Sequence, residues 1–248
     1  MTSETKLDKI KQIASEWLII PLNKPDKSPA EVAHPFIRSA MVCYRKNGES
    51  YNANLFEDKN SLLYVQECFW DKISSAKNLA QIRDIITPPY RLAFLQKCGK
   101  FMSEKDYAEF LANAFIICDN PDTALGMTKK KLLDLFKKAD KHNLMRPEEY
   151  EAFSNLPETI EVFRGVTHKN SNNIYAMSWT KNIDVANWFA SRHGEGGTIY
   201  RAFIDKKHIF AYFDLREEEE IVVNPAKLYN VSKIHTIKHK NNYAEITK

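Results

Sequence analysis

Four consecutive glutamates, Glu217 to Glu220, run directly into Ile221-Val222-Val223, and that junction most restricts how the chain can fold. Charged runs ordinarily belong to helices or tails, but the β-branched apolar residues that follow favour a strand. A strand that begins inside the acidic run turns Glu218 and Glu220 to one face, about 6.6 Å apart along the backbone. Two carboxylates then share one wall. Preorganised negative charge of that kind stabilises a cationic transition state more than its neutral ground state. A solvated acidic turn between two strands fits the same local pattern.

The residues upstream separate the two readings. "EVFRGV" puts Arg164 and Gly165 at the end of an alternating stretch, and "IYAMSWT" puts Ser178, Trp179 and Thr180 at the end of the next. "KNIDVANWFASRHGEGG" then carries Val185, Trp188 and Phe189 at helical spacing, with Gly194, Gly196 and Gly197 to stop the helix. "TIYRAFI" and "HIFAYF" alternate again before the glutamates. The expected order is strand, strand, helix, strand, strand, acidic strand. This set, Arg in "FRG", Ser in "SWT", a helix with "WFA" and then Glu-x-Glu before apolar β-branched residues, resembles the mono-ADP-ribosyltransferases of the arginine–serine–glutamate class. The resemblance covers about Thr159 to Ile234.

The resemblance implies an α+β fold of split antiparallel β-sheets around a cleft for NAD+, which serves as co-substrate. Breaking the bond from nicotinamide to its ribose passes through an oxocarbenium-like transition state, as in glycoside hydrolysis. By the same resemblance, Glu220 is the catalytic glutamate that binds the ribose 2′-hydroxyl and stabilises the sugar cation, and Glu218 orients or deprotonates the acceptor. Arg164 holds the phosphate and ribose side of NAD, a task for a planar, permanently charged donor. Gly165 meets the nicotinamide amide, Ser178 orients Glu220, and Thr180 keeps the strand end in register. Phe189 is the candidate for stacking on nicotinamide, and Arg192, beside His193, for meeting the pyrophosphate; each has an ordinary alternative, core packing for Trp188 and Phe189 and helix C-capping for the two basic residues. The stretch "AYFDLRE" corresponds to the acceptor-recognition region, which makes Tyr212, Phe213 and Arg216 candidate substrate contacts, with strand core as the alternative for the two aromatics. No metal is required, since Glu220 can stabilise the cation alone.

Residues 1–157 read as a mainly helical region for substrate or partner recognition, and 158–248 as the catalytic region. Leu7, Ile10, Ile13, Ala14 and Trp17 form one helical stripe, and "NSLLYVQECFWDKISSA" and "EKDYAEFLANAFIIC" carry similar ones. Ser103 with Asp106, and Thr128, look like helix starts; Pro88-Pro89 and "DNPDTALG" look like breaks, and "NKPDKSP" like a linker. Cys43, Cys68, Cys98 and Cys118 are far apart and form no metal-type pair, so buried free thiols are expected. The lysines at 129, 130, 131, 137, 138 and 141 form either a nucleic-acid surface or the solvated side of an amphipathic helix. A net charge of +4 from 36 basic and 32 acidic residues argues against reliance on phosphate neutralisation. No apolar run reaches membrane-spanning length, and "MTSETKLDKIKQ" lacks the pattern of a signal peptide, so no membrane association and cytoplasmic residence are the expectations.

Three functions follow. The leading one is transfer of ADP-ribose from NAD to a macromolecule, with protein arginine as acceptor because Glu218 is present, in an intracellular toxin, antiviral-defence or phage-related effector that a neutralising antitoxin or immunity partner would accompany. The second changes the acceptor to a base of DNA or RNA, or to water, which makes the protein an NAD glycohydrolase. The third is a non-catalytic interaction module, for which the loss of Arg164, Ser178 or Glu220 would be the sign; all three are present.

Overall fold

The computed structural model describes residues 2–23, 32–118, 121, 125–170, 172–192 and 196–237. Most of "NKPDKSP" and "DNPDTALG", together with His193 and Gly194, lies outside the described residues. The chain is mixed helix and strand with antiparallel sheets, and it divides into two compact units, Met1–Thr128 and Lys129–Lys248.

The first unit holds α1 (Leu7–Leu18), β1 (Met41–Lys46), β2 (Glu49–Asn54), α2 (Lys59–Ser75), α3 (Leu79–Ile85), α4 (Pro88–Cys98) and α5 (Glu104–Ile117). The stripe read in α1 is its buried face: Ile10, Ile13, Ala14 and Leu18 are inside. Ser103 caps α5, its Oγ accepting from Asp106 N at 3.1 Å. Three readings change. Pro88 and Pro89 open α4 rather than break the chain, because proline at the first helical positions gives up an N–H that has no partner there anyway. The α2 stripe is only partly core, with Leu63 and Trp70 exposed. Of the cysteines only Cys98 is buried, where desolvation raises its thiol pKa, while Cys43 is exposed on β1. The hairpin β1–β2 was not anticipated, although its turn, Asn47-Gly48 with φ of 52° and 85°, is the strongest short hairpin signal available.

The second unit begins earlier than the boundary at 157, because α6 (Lys129–Lys138), α7 (Lys141–Leu144) and α8 (Pro147–Ser154) fall with the strands. Then come β3 (Thr159–Thr167), β4 (Ser178–Thr180), α9 (Ile183–Ser191), β5 (Gly197–Asp205), β6 (Ile209–Phe213), β7 (Glu220–Val223) and β8 (Tyr229–Ile237). On α6 the buried residues are Leu132, Leu135 and Phe136, and the lysines at 130, 131, 137 and 138 are exposed, as expected of an amphipathic helix. Lys141 is not part of that face: it donates to Ile209 O at 2.7 Å and lies over the Phe153 ring. The strand order is β6-β7-β4-β3-β5-β8, every pair antiparallel. β3 pairs with β5 over nine positions but with β4 only through Phe163 opposite Thr180, so two three-stranded parts meet at one residue pair.

Helix α9 lies on this sheet through Ala186 and Ala190, both fully buried, and not through the aromatic stripe expected of it. The reason is glycine. A Cβ on Gly165 would stand 1.9 Å from Ala186 O, and one on Gly197 2.2 Å from Ala190 O. Backbone meets backbone there, which leaves Trp188 58% exposed.

Candidate active site

Residues from three strands and one loop converge around Glu220. On an antiparallel pair, diagonal neighbours are within reach of a long side chain. Thr180 is paired with Glu220 and Ser178 with Val222, so Ser178 and Glu220 are such neighbours. The Ser178 hydroxyl donates to Glu220 Oε1. From the middle of β3, Arg164 donates through Nη1 to Ser178 O at 2.6 Å and through Nε to Asn173 O at 3.3 Å. The guanidinium therefore ties β3 to the start of β4 and to the segment that leads into it, a geometry that suits a planar fork.

Glu220 is 8% exposed in the first position of a strand whose other residues, Ile221, Val222 and Val223, are wholly buried. Desolvation is the main reason its carboxyl is pushed from 4.5 up to about 7, and the nearby Glu218 charge adds to the rise. The Ser178 hydrogen bond is the largest opposing effect, followed by the charges of Arg216 and Arg164. A carboxylate poised near neutrality at such a place is what catalytic sites build by burial. Ser178→Ala removes the main interaction that favours the charged form. The midpoint of Glu220, read by 13C NMR of labelled glutamate, is therefore expected to move further upward; an unchanged or lower midpoint would show that the hydroxyl does not hold the anion.

The placement of Glu218 corrects the opening reading. β7 begins at Glu220, not within the acidic run, and Glu217 and Glu219 adopt left-handed backbone, with φ of 56° and 43°. Side chains do not alternate through such residues as they do through a strand, so Glu218 belongs to a loop and faces Arg216, whose Nη2 lies 3.0 Å from its Oε2. Thr180 does hold the strand end: its Oγ1 donates to Glu218 O at 2.7 Å and accepts from Asn182 N at 3.0 Å.

The other candidates divide. Tyr212 and Phe213 are 6% and 2% exposed in β6, opposite Ile221 and Glu220, and burial pushes the Tyr212 phenol up to about 12. They are strand core, which removes them as open acceptor contacts. Arg216 remains accessible and carries the ion pair to Glu218. Gly165 has a packing task, the close approach of α9. Arg192 caps that helix, its N–H donating to Trp188 O at 2.8 Å, and its guanidinium lies 4.9 Å over the half-buried Phe189 ring. His193 lies outside the described residues. A recess of about 260 Å³ beside the far end of β3 is lined by Val166, Thr167, His168, Thr198, Tyr200 and Thr236 among others, but not by Arg164, Ser178 or Glu220.

No family model, curated protein or solved structure matches the chain. Among the described residues no cluster of three or more His, Cys, Asp or Glu is disposed to hold a metal ion, and no helix is long and apolar enough to cross a membrane.

Several residues around the acidic loop escaped the sequence reading. Asp214 Oδ1 accepts from Glu219 N at 2.9 Å and Asp214 O from Glu217 N at 3.0 Å. Its own N–H donates to Oε1 of Glu149, a carboxylate only 3% exposed, at 2.8 Å. Asp at the first position of a turn was a readable signal, as was Pro147 followed by Glu149 at the third position of a helix; what each would hold was not.

Proposed function

We propose that the chain is an NAD-dependent mono-ADP-ribosyltransferase, with protein arginine as the leading acceptor. The observation that carries this reading is the linked arrangement of Arg164, Ser178 and Glu220, brought from β3, β4 and β7 into one hydrogen-bonded chain. A buried glutamate oriented by a serine hydroxyl suits a reaction in which positive charge appears on a sugar. The electron pair of the glycosidic bond leaves with nicotinamide, neutralising its ring, and the ionised Glu220 stabilises the ribosyl cation. A guanidinium nitrogen of the acceptor then bonds to the anomeric carbon and loses a proton. Because Glu220 is held up near 7, the free enzyme reaches its active, ionised form as pH rises through neutrality.

Guanidinium is favoured as acceptor because Glu218, in the loop beside Glu220, already pairs with one, that of Arg216. A nucleic-acid base loses the support drawn from Tyr212 and Phe213, since buried strand residues cannot stack on it. The balance of 36 basic and 32 acidic residues gives it no electrostatic help. An intracellular effector role, with a neutralising partner, fits this chemistry.

Incubation with NAD labelled in its adenylate moiety, together with cell lysate, tests the proposal. The expected result is nicotinamide release and label that protease, but not nuclease, removes from the macromolecular fraction. Nuclease-sensitive label would move the acceptor to a base. Nicotinamide without labelled polymer would leave a glycohydrolase, and no nicotinamide at all would refute NAD chemistry.

A further inference from the structure

The six residues 214–219 between β6 and β7 contain two non-glycine residues in left-handed backbone, Glu217 and Glu219. Strained backbone persists only where its surroundings over-determine it. Here the restraints come from outside the acidic run. The Asp214 carboxylate accepts the Glu219 N–H, its carbonyl accepts the Glu217 N–H, and its own N–H is held by the buried Glu149 of α8. Glu149 is fixed in turn at the N-terminus of α8, accepting from Arg146 N at 2.9 Å and Arg146 Nη2 at 3.0 Å. On the far side, Thr180 Oγ1 donates to Glu218 O and Lys181 N to Glu219 O.

Glu220 is held differently. It sits in the strand ladder, paired with Phe213 on one side and Thr180 on the other, and takes its hydroxyl from Ser178. Loosening the loop therefore displaces Glu218 and Arg216 and leaves Glu220 in place. We propose, building on the transferase reading above, that Asp214, anchored by Glu149, is a positioning residue for the acceptor step: it sets Glu218 for transfer to a guanidinium without taking part in NAD cleavage.

Asp214→Ala tests this in the full chain, with Asp214→Asn as the conservative control, because the amide oxygen can accept the same Glu219 N–H. Three rates are compared: nicotinamide release from NAD alone, ADP-ribose transfer to agmatine as a small guanidinium acceptor, and native-state cleavage after residues 217–219 by a glutamate-specific protease. Since small misplacements of reacting groups are costly, Asp214→Ala is expected to lower transfer about tenfold or more while nicotinamide release stays within about twofold. Cleavage of the loop should accelerate, and Asp214→Asn should restore transfer and loop cleavage toward the parent, with nicotinamide release again within about twofold. Equal losses in transfer and release, unchanged loop cleavage, or failure of Asp214→Asn to restore transfer would each overturn the assignment alone. A parent protein that releases no nicotinamide would overturn the NAD reading and this assignment together.

Discussion

Glu220→Gln is expected to do two opposite things: to lower nicotinamide release from NAD by about a hundredfold or more, and to raise the melting temperature above neutral pH. The first follows from the anion. Glutamine keeps the size of glutamate and can still accept from the Ser178 hydroxyl, but it cannot carry the charge that stabilises a developing cation, and electrostatic groups of this kind are worth several kcal/mol in a desolvated site. The second follows from burial. The folded protein holds the Glu220 carboxyl at about 7 against 4.5 when unperturbed, so folding favours the protonated form. The contribution of this group to stability is complete below about pH 4.5 and is lost as pH rises through about 7. At about pH 8 the parent bears that cost, on the order of 3 kcal/mol, and the neutral glutamine does not. Calorimetry at about pH 5 and about pH 8 should show the gain of the variant widening with pH. A variant that melts lower than the parent at both would mean that the buried charge is better compensated than its surroundings indicate.

Gly165→Ala carries the largest expected cost to the fold. By intrinsic preference the change should help, since glycine weakens a strand interior relative to alanine. The packing says otherwise. The new methyl would lie 1.9 Å from Ala186 O, 2.6 Å from Ala190 N and 3.0 Å from Ala186 C, all of them backbone atoms of α9 that no rotamer change can clear. The helix must lift from the sheet, opening the contact that Ala186, Ala190 and Ile199 close. Overpacking ordinarily costs about 1–3 kcal/mol, and a clash with a helix backbone belongs at or beyond the upper end. In a unit of this size that corresponds to a fall of roughly 10 °C or more in the transition of the second unit. Gly197→Ala, 2.2 Å from Ala190 O, should behave alike, whereas Gly48→Ala meets nothing within 4 Å and loses only the ease with which glycine adopts its φ of 85°. A stabilised Gly165→Ala would mean that α9 stands far enough from β3 to admit a methyl group.

The legible parts of this chain were those in which chemistry is local. Alternation announced β3, β5 and β6, a serine and an aspartate three residues on announced α5, and apolar spacing announced the buried face of α1. Arg164, Ser178 and Glu220 were expected to meet because of the resemblance that their motifs carry, and they do. Asn47-Gly48 was equally local and was overlooked because the surrounding region is mostly helical. Elsewhere, local rules pointed the wrong way. Aromatic spacing on α9 indicated a buried Trp188, yet two glycines on neighbouring strands bring the helix in by its alanines and leave the indole outside. Period-two alternation placed Glu218 on a strand, yet Asp214, Glu149 and Thr180, all from outside the acidic run, hold the chain in a left-handed loop until Glu220. Residue type and order thus specify which groups are available, because propensity and side-chain chemistry act within a few residues. Which face is buried, where the acidic strand starts and why the Glu220 carboxyl is pushed up by burial depend on contacts between segments distant in sequence, and those exist only once the chain has folded.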